Sequence, residues 1–265
     1  MTHSHSQLAD LLDLDAEVLT DYHREVITWA GAQAPASPRI VDLGAGTGAG
    51  TLALARHLSA ATVTAVDVDE EMLAHIRHRA TSLGVADRIS TVQADLDQPW
   101  PDLGPADLIW ASASLHHLAD PARALAQAFA ALRPGGVFAI TEPESFPRFL
   151  SDAAGSALED RGHEEMARFR RERGMHMDED WGARLTGAGF TVAAQRRFDI
   201  VLEPPLPPAA GRYAQVSLQR MWHGLQDRLP AEDLAALEKV AAEVADRTDL
   251  TVRSVRTAWL ARRPG

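Results

Sequence analysis

The sequence predicts a doubly wound α/β sheet, on three observations. A short apolar run, Ile40 to Leu43, stops at glycines on alternate positions, Gly44, Gly46 and Gly48. A second β-branched run, Thr62 to Val66, ends on Asp67, 19 residues after Gly48. Strand and helix signals then alternate along the chain, the pattern of a parallel sheet with helices on both faces.

Each element has its own reason. Glycine tolerates positive φ and has no Cβ, so the chain can turn tightly after the first strand and leave bare backbone against a ligand. Thr51 to Leu58 has the apolar spacing of a helix whose first N–H groups would face that ligand. Asp67, at the tip of the second strand, can accept both hydroxyls of a ribose. Asp69 reads instead as the N-cap of a helix opening with Glu70, Glu71 and Met72. A third strand, Arg88 to Gln93, brings Ala94, Asp95 and Leu96 to the same sheet edge. Asp120 followed by Pro121 starts a helix that runs to Leu132 and stops at Arg133-Pro134-Gly135-Gly136, ahead of the strand Val137 to Thr141. Asp178 is read as opening a helix through Trp181 and Leu185, before the strand Phe190 to Ala194. Thr251 to Leu260 alternates apolar and polar residues, as in a half-buried antiparallel strand at the sheet margin.

Composition sets limits. With 265 residues, 46% hydrophobic and 24% charged, the chain can bury a full core. A net charge of −11 repels nucleic acid and argues against a DNA or RNA substrate. No run of 18 apolar residues exists, and the acidic first residues do not resemble a secretion signal, so no membrane partner and a cytoplasmic location are expected. The absence of cysteine removes disulfides and thiolate chemistry.

The segments VDLGAGTG (Val41 to Gly48), TAVDVDEEML (Thr64 to Leu73), QADL (Gln93 to Leu96), DLIWASASLHHL (Asp107 to Leu118) and LRPGGVFAITEP (Leu132 to Pro143) stand in an order and spacing that resembles the class I S-adenosylmethionine-dependent methyltransferases. The style is that of the small-molecule branch that includes ubiquinone and menaquinone methyltransferases. The resemblance implies a Rossmann-like sheet of seven strands, mostly parallel with an antiparallel closing strand, plus a helical lid. It implies S-adenosylmethionine as cofactor, lying against Asp42, Gly44, Ala45, Gly46 and Gly48. Asp67 and Val68 would stand at the ribose, Met72 beside the adenine, and Ala94, Asp95, Leu96 and Ala111 along the rest of the site. Asp95 would take the adenine amino group.

The implied organisation is an N-terminal helical cap (1–36), a cofactor-binding core (37–144, continued at 178–200), a helical insertion (145–177), a helical lid (201–249) and a closing strand (250–265). Leu19, Tyr22, Val26 and Trp29 recur at helical spacing, and so do Leu234, Leu237, Ala241 and Val244. Tyr22, Trp29, Tyr213 and Trp222 are the candidate substrate contacts.

Methyl transfer mainly needs a nucleophile aligned with an activated methyl group. An acceptor that loses a proton needs a base, and His116 and His117, just past the fourth strand, are the candidates. Positioning is the other role open to them. Tyr22, His23, Glu142, Glu144, His163, His176, Tyr213 and His223 follow as weaker candidates. Arg168, Arg170, Arg171 and Arg173 read as a solvated helix face, with binding of an acidic substrate as the alternative. His3 and His5 read as part of a terminus rather than as metal ligands. Catechol-type methyltransferases carry a metal-holding aspartate after the fourth strand. Here that stretch is Ala111-Ser112-Ala113-Ser114, so no metal is expected.

Two alternatives stay open. One is an NAD-dependent oxidoreductase, from the overlapping register Gly48, Gly50, Ala53. The other is a cofactor-binding protein of the same fold with a different lid-encoded reaction or a regulatory role. The expected acceptor is a small molecule, and homodimer formation is left open.

Overall fold

The computed structural model describes residues 2–177 and 179–265, with side chains from Gln7 onward. The expected helix opening at Asp178 and the reading of His3 and His5 therefore lie outside the described residues and side chains. Seven strands form one sheet: β1 (Arg39–Leu43), β2 (Thr62–Asp67), β3 (Ile89–Gln93), β4 (Ala106–Ser112), β5 (Leu132–Pro143), β6 (Thr191–Leu202) and β7 (Val252–Arg262). Their order is β3-β2-β1-β4-β5-β7-β6. β1 pairs in parallel with β2 and β4, with Leu43 opposite Val66 and Ala111. β2 with β3 and β4 with β5 are also parallel. The strand order therefore reverses between β1 and β4, and in sheets of this kind ligands bind at the carboxyl ends of the strands flanking such a switch point.

β7 runs antiparallel to β5, since Gly135 N–H bonds the Arg263 carbonyl and Glu144 N–H bonds the Val255 carbonyl. The direction is as expected, but the expected marginal position is corrected. β7 lies between β5 and β6, so Ala258 to Ala261 are all buried, and the margin belongs to β6, whose residues alternate between half-buried and exposed. A strand flanked on both sides loses the alternation of a half-solvated one.

Nine helices accompany the strands among the described residues. The helix α3 (Ala49–His57) follows the glycine loop directly. α4 (Glu70–Ser82) is capped by Asp69, which accepts the Glu71 N–H at 2.8 Å, as the sequence predicts. α5 (Pro121–Ala131) is capped by Asp120 with proline in its first turn. It gives way at Leu132 to β5, so Arg133 to Gly136 are the start of a strand rather than a loop. α7 (Trp181–Gly187) is capped by Asp180, whose carboxylate accepts the Ala183 N–H at 2.9 Å.

The chain divides into two compact units. One comprises Asp21–Glu142, His176–Phe198 and Thr257–Gly265. It holds α2 (Thr20–Gly31), from which Tyr22, Val26 and Ile27 are buried, and a core running through Leu43, Ile109, Phe138, Trp181, Phe190 and Trp259. The other comprises the chain up to Thr20, Pro143–Met175 and Asp199–Arg256. Here α1 (Thr2–Val18) and α9 (Ala231–Glu243) both pack on α8 (Ala210–Gly224), and α6 (Ala153–Glu172) packs on α8 and α9. Leu237, Ala241 and Val244 are buried on the face that their spacing predicts. No helix among the described residues is long and apolar enough to cross a membrane.

Candidate functional site

The glycine loop sits where β1 ends, and three contacts shape it. The Gly46 N–H donates to Asp67 Oδ2 at 2.7 Å, which joins the loop to the tip of β2. Asp67 Oδ1 accepts the Asp69 N–H at 3.0 Å. Gly46 has φ +53°, a left-handed conformation that side-chain-bearing residues rarely adopt. At Gly44 a Cβ would stand 2.6 Å from the Ser114 Cβ, so glycine is required for the loop after β4 to approach.

That loop carries the candidate base. Ser114 Oγ donates to the Leu43 carbonyl at 2.9 Å, which fastens the β4 loop to the end of β1. Glu142, at the end of β5, accepts the N–H groups of Ser114 (3.2 Å) and Leu115 (2.9 Å) on Oε1. Its Oε2 lies 2.5 Å from His116 Nδ1. With a carboxylate as the acceptor, Nδ1 of a neutral His116 carries the proton of this hydrogen bond and Nε2 the lone pair. Both side chains are buried. The exposed His117 ring lies 4.0 Å from the His116 ring, centroid to centroid. The His116 carbonyl accepts the His176 N–H at 3.0 Å.

The other candidates divide by burial. Ala45 is half-buried and Val68 is 62% exposed. Asp95 is exposed, with Oδ1 on the Asp97 N–H at 2.9 Å, and Ala94 N–H donates to the Asp67 carbonyl. Met72 and Leu96 are buried beside the same edge. Asp42 is wholly buried and accepts the Thr51 hydroxyl at 2.6 Å, so it braces the first turn of α3 from below. Burial and, secondarily, the Asp67 charge push its carboxyl up to about 7, against the Thr51 hydrogen bond. The Ala111 side chain lies entirely within the core cluster. Gly48 is buried at the start of α3.

Among the aromatic candidates, Tyr22 is buried, with its hydroxyl on the Thr141 hydroxyl and its ring 5.2 Å from Phe198. The Arg196 guanidinium lies over the half-buried Trp29 ring at 4.6 Å. Tyr213 and Trp222 belong to the other compact unit. Tyr213 is buried and donates to Asp15 at 2.5 Å, and burial with the Asp15 charge raises its phenol above the usual range. Trp222 is half-buried beside His223.

Sequence reasoning ranked Glu142 among the weaker candidates and did not single out Ser114 or Thr47. Acids at the carboxyl ends of strands were the signal available for Glu142. Thr47 Oγ1 is a buried hydroxyl without a partner, inside the glycine loop. Two hollows, of about 370 Å³ beside Trp100 to Pro105 and about 290 Å³ beside Arg39, Thr62 and Ser90, lie at the opposite, amino-terminal edge of the strands and contain none of these groups. Among the described residues no three His, Asp or Glu side chains converge as a metal cage.

Residues 40–136 match the family model described as methyltransferase domain. A trans-aconitate 2-methyltransferase of Azoarcus sp. is 37% identical over 107 residues, covering 40% of this chain and 40% of that protein. A 27-O-demethylrifamycin SV methyltransferase of Amycolatopsis mediterranei is 34% identical over 106 residues, covering 40% of this chain and 38% of that protein. Neither name is that of a quinone methyltransferase. The chain thus spans two fifths or less of the length of these curated relatives. Among solved structures, a Haemonchus contortus phosphoethanolamine N-methyltransferase 2, in complex with phosphomonomethylethanolamine and S-adenosylhomocysteine, superposes with a TM-score of 0.55 at 15% identity, covering 92% of this chain and 53% of that one. At that identity the likeness concerns the fold.

Proposed function

Starting from a chain that belongs, over residues 40–136, to the class I S-adenosylmethionine-dependent methyltransferases, we propose that it transfers a methyl group from that cofactor to a small-molecule acceptor. The observation that carries the reading is the joining, within one unit, of the glycine loop, the Asp67 carboxylate and the His116–Glu142 pair through Gly46, Leu43 and Ser114. The residues fit the cofactor. Asp67 spends one lone pair of each oxygen on backbone N–H groups and keeps one on each for a ribose diol. The partnerless, buried Thr47 hydroxyl belongs to the same loop, and α3 begins directly after it with its first N–H groups free.

S-adenosylmethionine supplies a methyl group already activated on a sulfonium. The chain's own residues hold and orient the reactants. The glycine backbone cradles the amino-acid end, Asp67 fixes the ribose, and Asp95 is available to the adenine amino group. When the acceptor loses a proton, Nε2 of His116 receives it, and the Glu142 carboxylate stabilises the resulting imidazolium. A small-molecule acceptor agrees with the names of the two curated relatives and with the net charge of −11.

Calorimetry with S-adenosylhomocysteine tests the cofactor assignment. The wild-type protein is expected to bind, and Gly46→Val, whose side chain would occupy the methionine space and strain a left-handed position, is expected to lose binding while remaining folded. Equal affinity in a folded Gly46→Val variant would place the ligand elsewhere.

A further inference from the structure

Chain connectivity and hydrogen bonding converge on His116 from two sides. The chain leaves the unit that holds His116 after Glu142 and returns to it at His176, on either side of the stretch Pro143–Met175. Both of these flanking residues hold His116. The Glu142 carboxylate takes Nδ1 of the ring, and the His176 N–H donates to the His116 carbonyl at 3.0 Å. That carbonyl needs a partner from outside its own turn, Leu115–His117, because Ala119, whose N–H would close the next turn onto it, donates instead to Asp97 at 3.1 Å. An unpaired carbonyl on a buried residue is costly, so the His176 N–H answers an acceptor that must be answered.

The loop that carries His116 also needs holding. Ala113, between β4 and the turn, has φ +51°, a left-handed conformation that a residue with a Cβ disfavours and that persists only where the surroundings over-determine it. Its N–H donates to the Thr141 carbonyl at 2.8 Å, and the next two residues are tied to Leu43 and Glu142. On the other side of the turn the tie is His176, which is braced in its turn. Its Nδ1 lies 2.9 Å from Glu179 Oε1, and the Glu179 carboxylate takes Arg184 as a fork, Nη2 on Oε1 at 2.6 Å and Nε on Oε2 at 2.8 Å. Arg184 belongs to α7, whose Trp181 and Leu185 are buried in the core. The Arg184 fork and, after it, the His176 hydrogen bond hold the Glu179 carboxyl down to about 2, so it stays an ionised acceptor through the neutral range.

On the reading of His116 as the proton acceptor, we propose that Glu179 and Arg184 are positioning residues for it: through His176 they fix the peptide of His116, and with it the place from which Nε2 receives a proton. Both act through His176 rather than through the ring. Two carboxylates divide the task, Glu142 orienting the imidazole and Glu179 the backbone that carries it. A bidentate pair suits this work, because it fixes direction as well as charge. A brace that served the fold alone would change stability and leave the His116 imidazole as it is.

The test follows the His116 imidazole by nuclear magnetic resonance in the full-length protein carrying isotope-labelled histidine, at about pH 8, where an ordinary histidine is neutral. The His116 signals are assigned by their loss in His116→Gln. Wild type is expected to show one tautomer, protonated on Nδ1, and a His176 amide that exchanges slowly with solvent. Glu179→Gln, which loses the ionic fork, is expected to speed exchange of that amide about tenfold or more and to turn the His116 signals into those of a tautomer mixture. Arg184→Lys, which keeps the charge and loses the fork, is expected to fall between the two, and serves if Glu179→Gln does not fold. Arg133→Gln, which breaks the 2.5 Å ion pair with Asp107 elsewhere in the same unit, is expected to leave both readouts unchanged. The proposal is overturned if wild type already shows a tautomer mixture, if folded Glu179→Gln or Arg184→Lys keeps the wild-type His116 signals whatever its melting temperature, or if Arg133→Gln moves them as much. Calorimetry with S-adenosylhomocysteine on the same samples separates the two readings: a wild type that does not bind it fails the proposed function, and the His116 signals alone decide the brace.

Discussion

The carboxyl edge of the sheet and the α6–α8 face treat charge in opposite ways. At the sheet edge, acids are answered by the backbone: Asp67 by Gly46 and Asp69, Asp69 by Glu71, Asp95 by Asp97, and Glu142 by Ser114 and Leu115. On the helical face, Arg170 and Arg220 are half-buried, and among the described residues neither makes an ion pair. An amide-bonded carboxylate is fixed in place before any ligand arrives, which suits a site that must hold one cofactor in one pose. Guanidiniums left without a counter-ion keep the cost of their partial desolvation unanswered by an opposite charge.

The sharpest way to break this comparison is to remove the carboxylate that does most at the sheet edge. Asp67→Ala is expected to weaken S-adenosylhomocysteine binding by about 2–4 kcal/mol, because both ribose contacts and the Gly46 anchor are lost together. Asp67→Asn keeps an oxygen for one of these partners and should lose less. An unchanged dissociation constant in the alanine variant would mean that Asp67 only shapes the loop.

The next effect concerns His116. If Nε2 takes a proton, glutamine at this position should cut turnover by about 100-fold and abolish the rise of activity through the pH range where a histidine loses its proton. Glu142→Gln should keep the fold, lower turnover and flatten the same rise, because the imidazolium loses its counter-charge. A merely structural Glu142 would change stability and leave the pH profile in shape. His117→Gln, at an exposed ring, is expected to leave the profile as it is.

What could be read in the sequence divides along the same line. The glycine loop, Asp67, the Asp69 cap and the Asp120–Pro121 helix start are signalled by residues within a few positions of one another, and local geometry decides them. Glu142 and His116 are 26 positions apart and meet only because β4 and β5 are neighbours in the sheet. The place of β7 between β5 and β6 has no local signal, since a strand's own pattern does not name its partners. Arg168, Arg170, Arg171 and Arg173 are equivalent in sequence, and only packing against Phe146 sets Arg170 apart. Asp42 and Ala111, which the resemblance places at the cofactor, have buried side chains, a property that no local pattern announces.

The smallest effect sets the two regions directly against each other through pH. His163 titrates at about 4 when folded and near 6.5 when unfolded, so between these values the unfolded chain binds more protons and stability rises with pH. Asp42 titrates at about 7 when folded and near 3.8 when unfolded, so over that window the folded chain binds more protons and stability falls as pH rises. From pH 4.5 to 6 the two slopes oppose each other, each worth about 1 kcal/mol per pH unit. Urea unfolding across this range should therefore show a steeper rise with pH in Asp42→Asn than in wild type, and a fall with pH in His163→Gln. If both variants keep the wild-type slope, neither group is held in the folded protonation state that its burial implies, and the contrast between an acid-bearing sheet edge and a base-bearing helical face loses its electrostatic content.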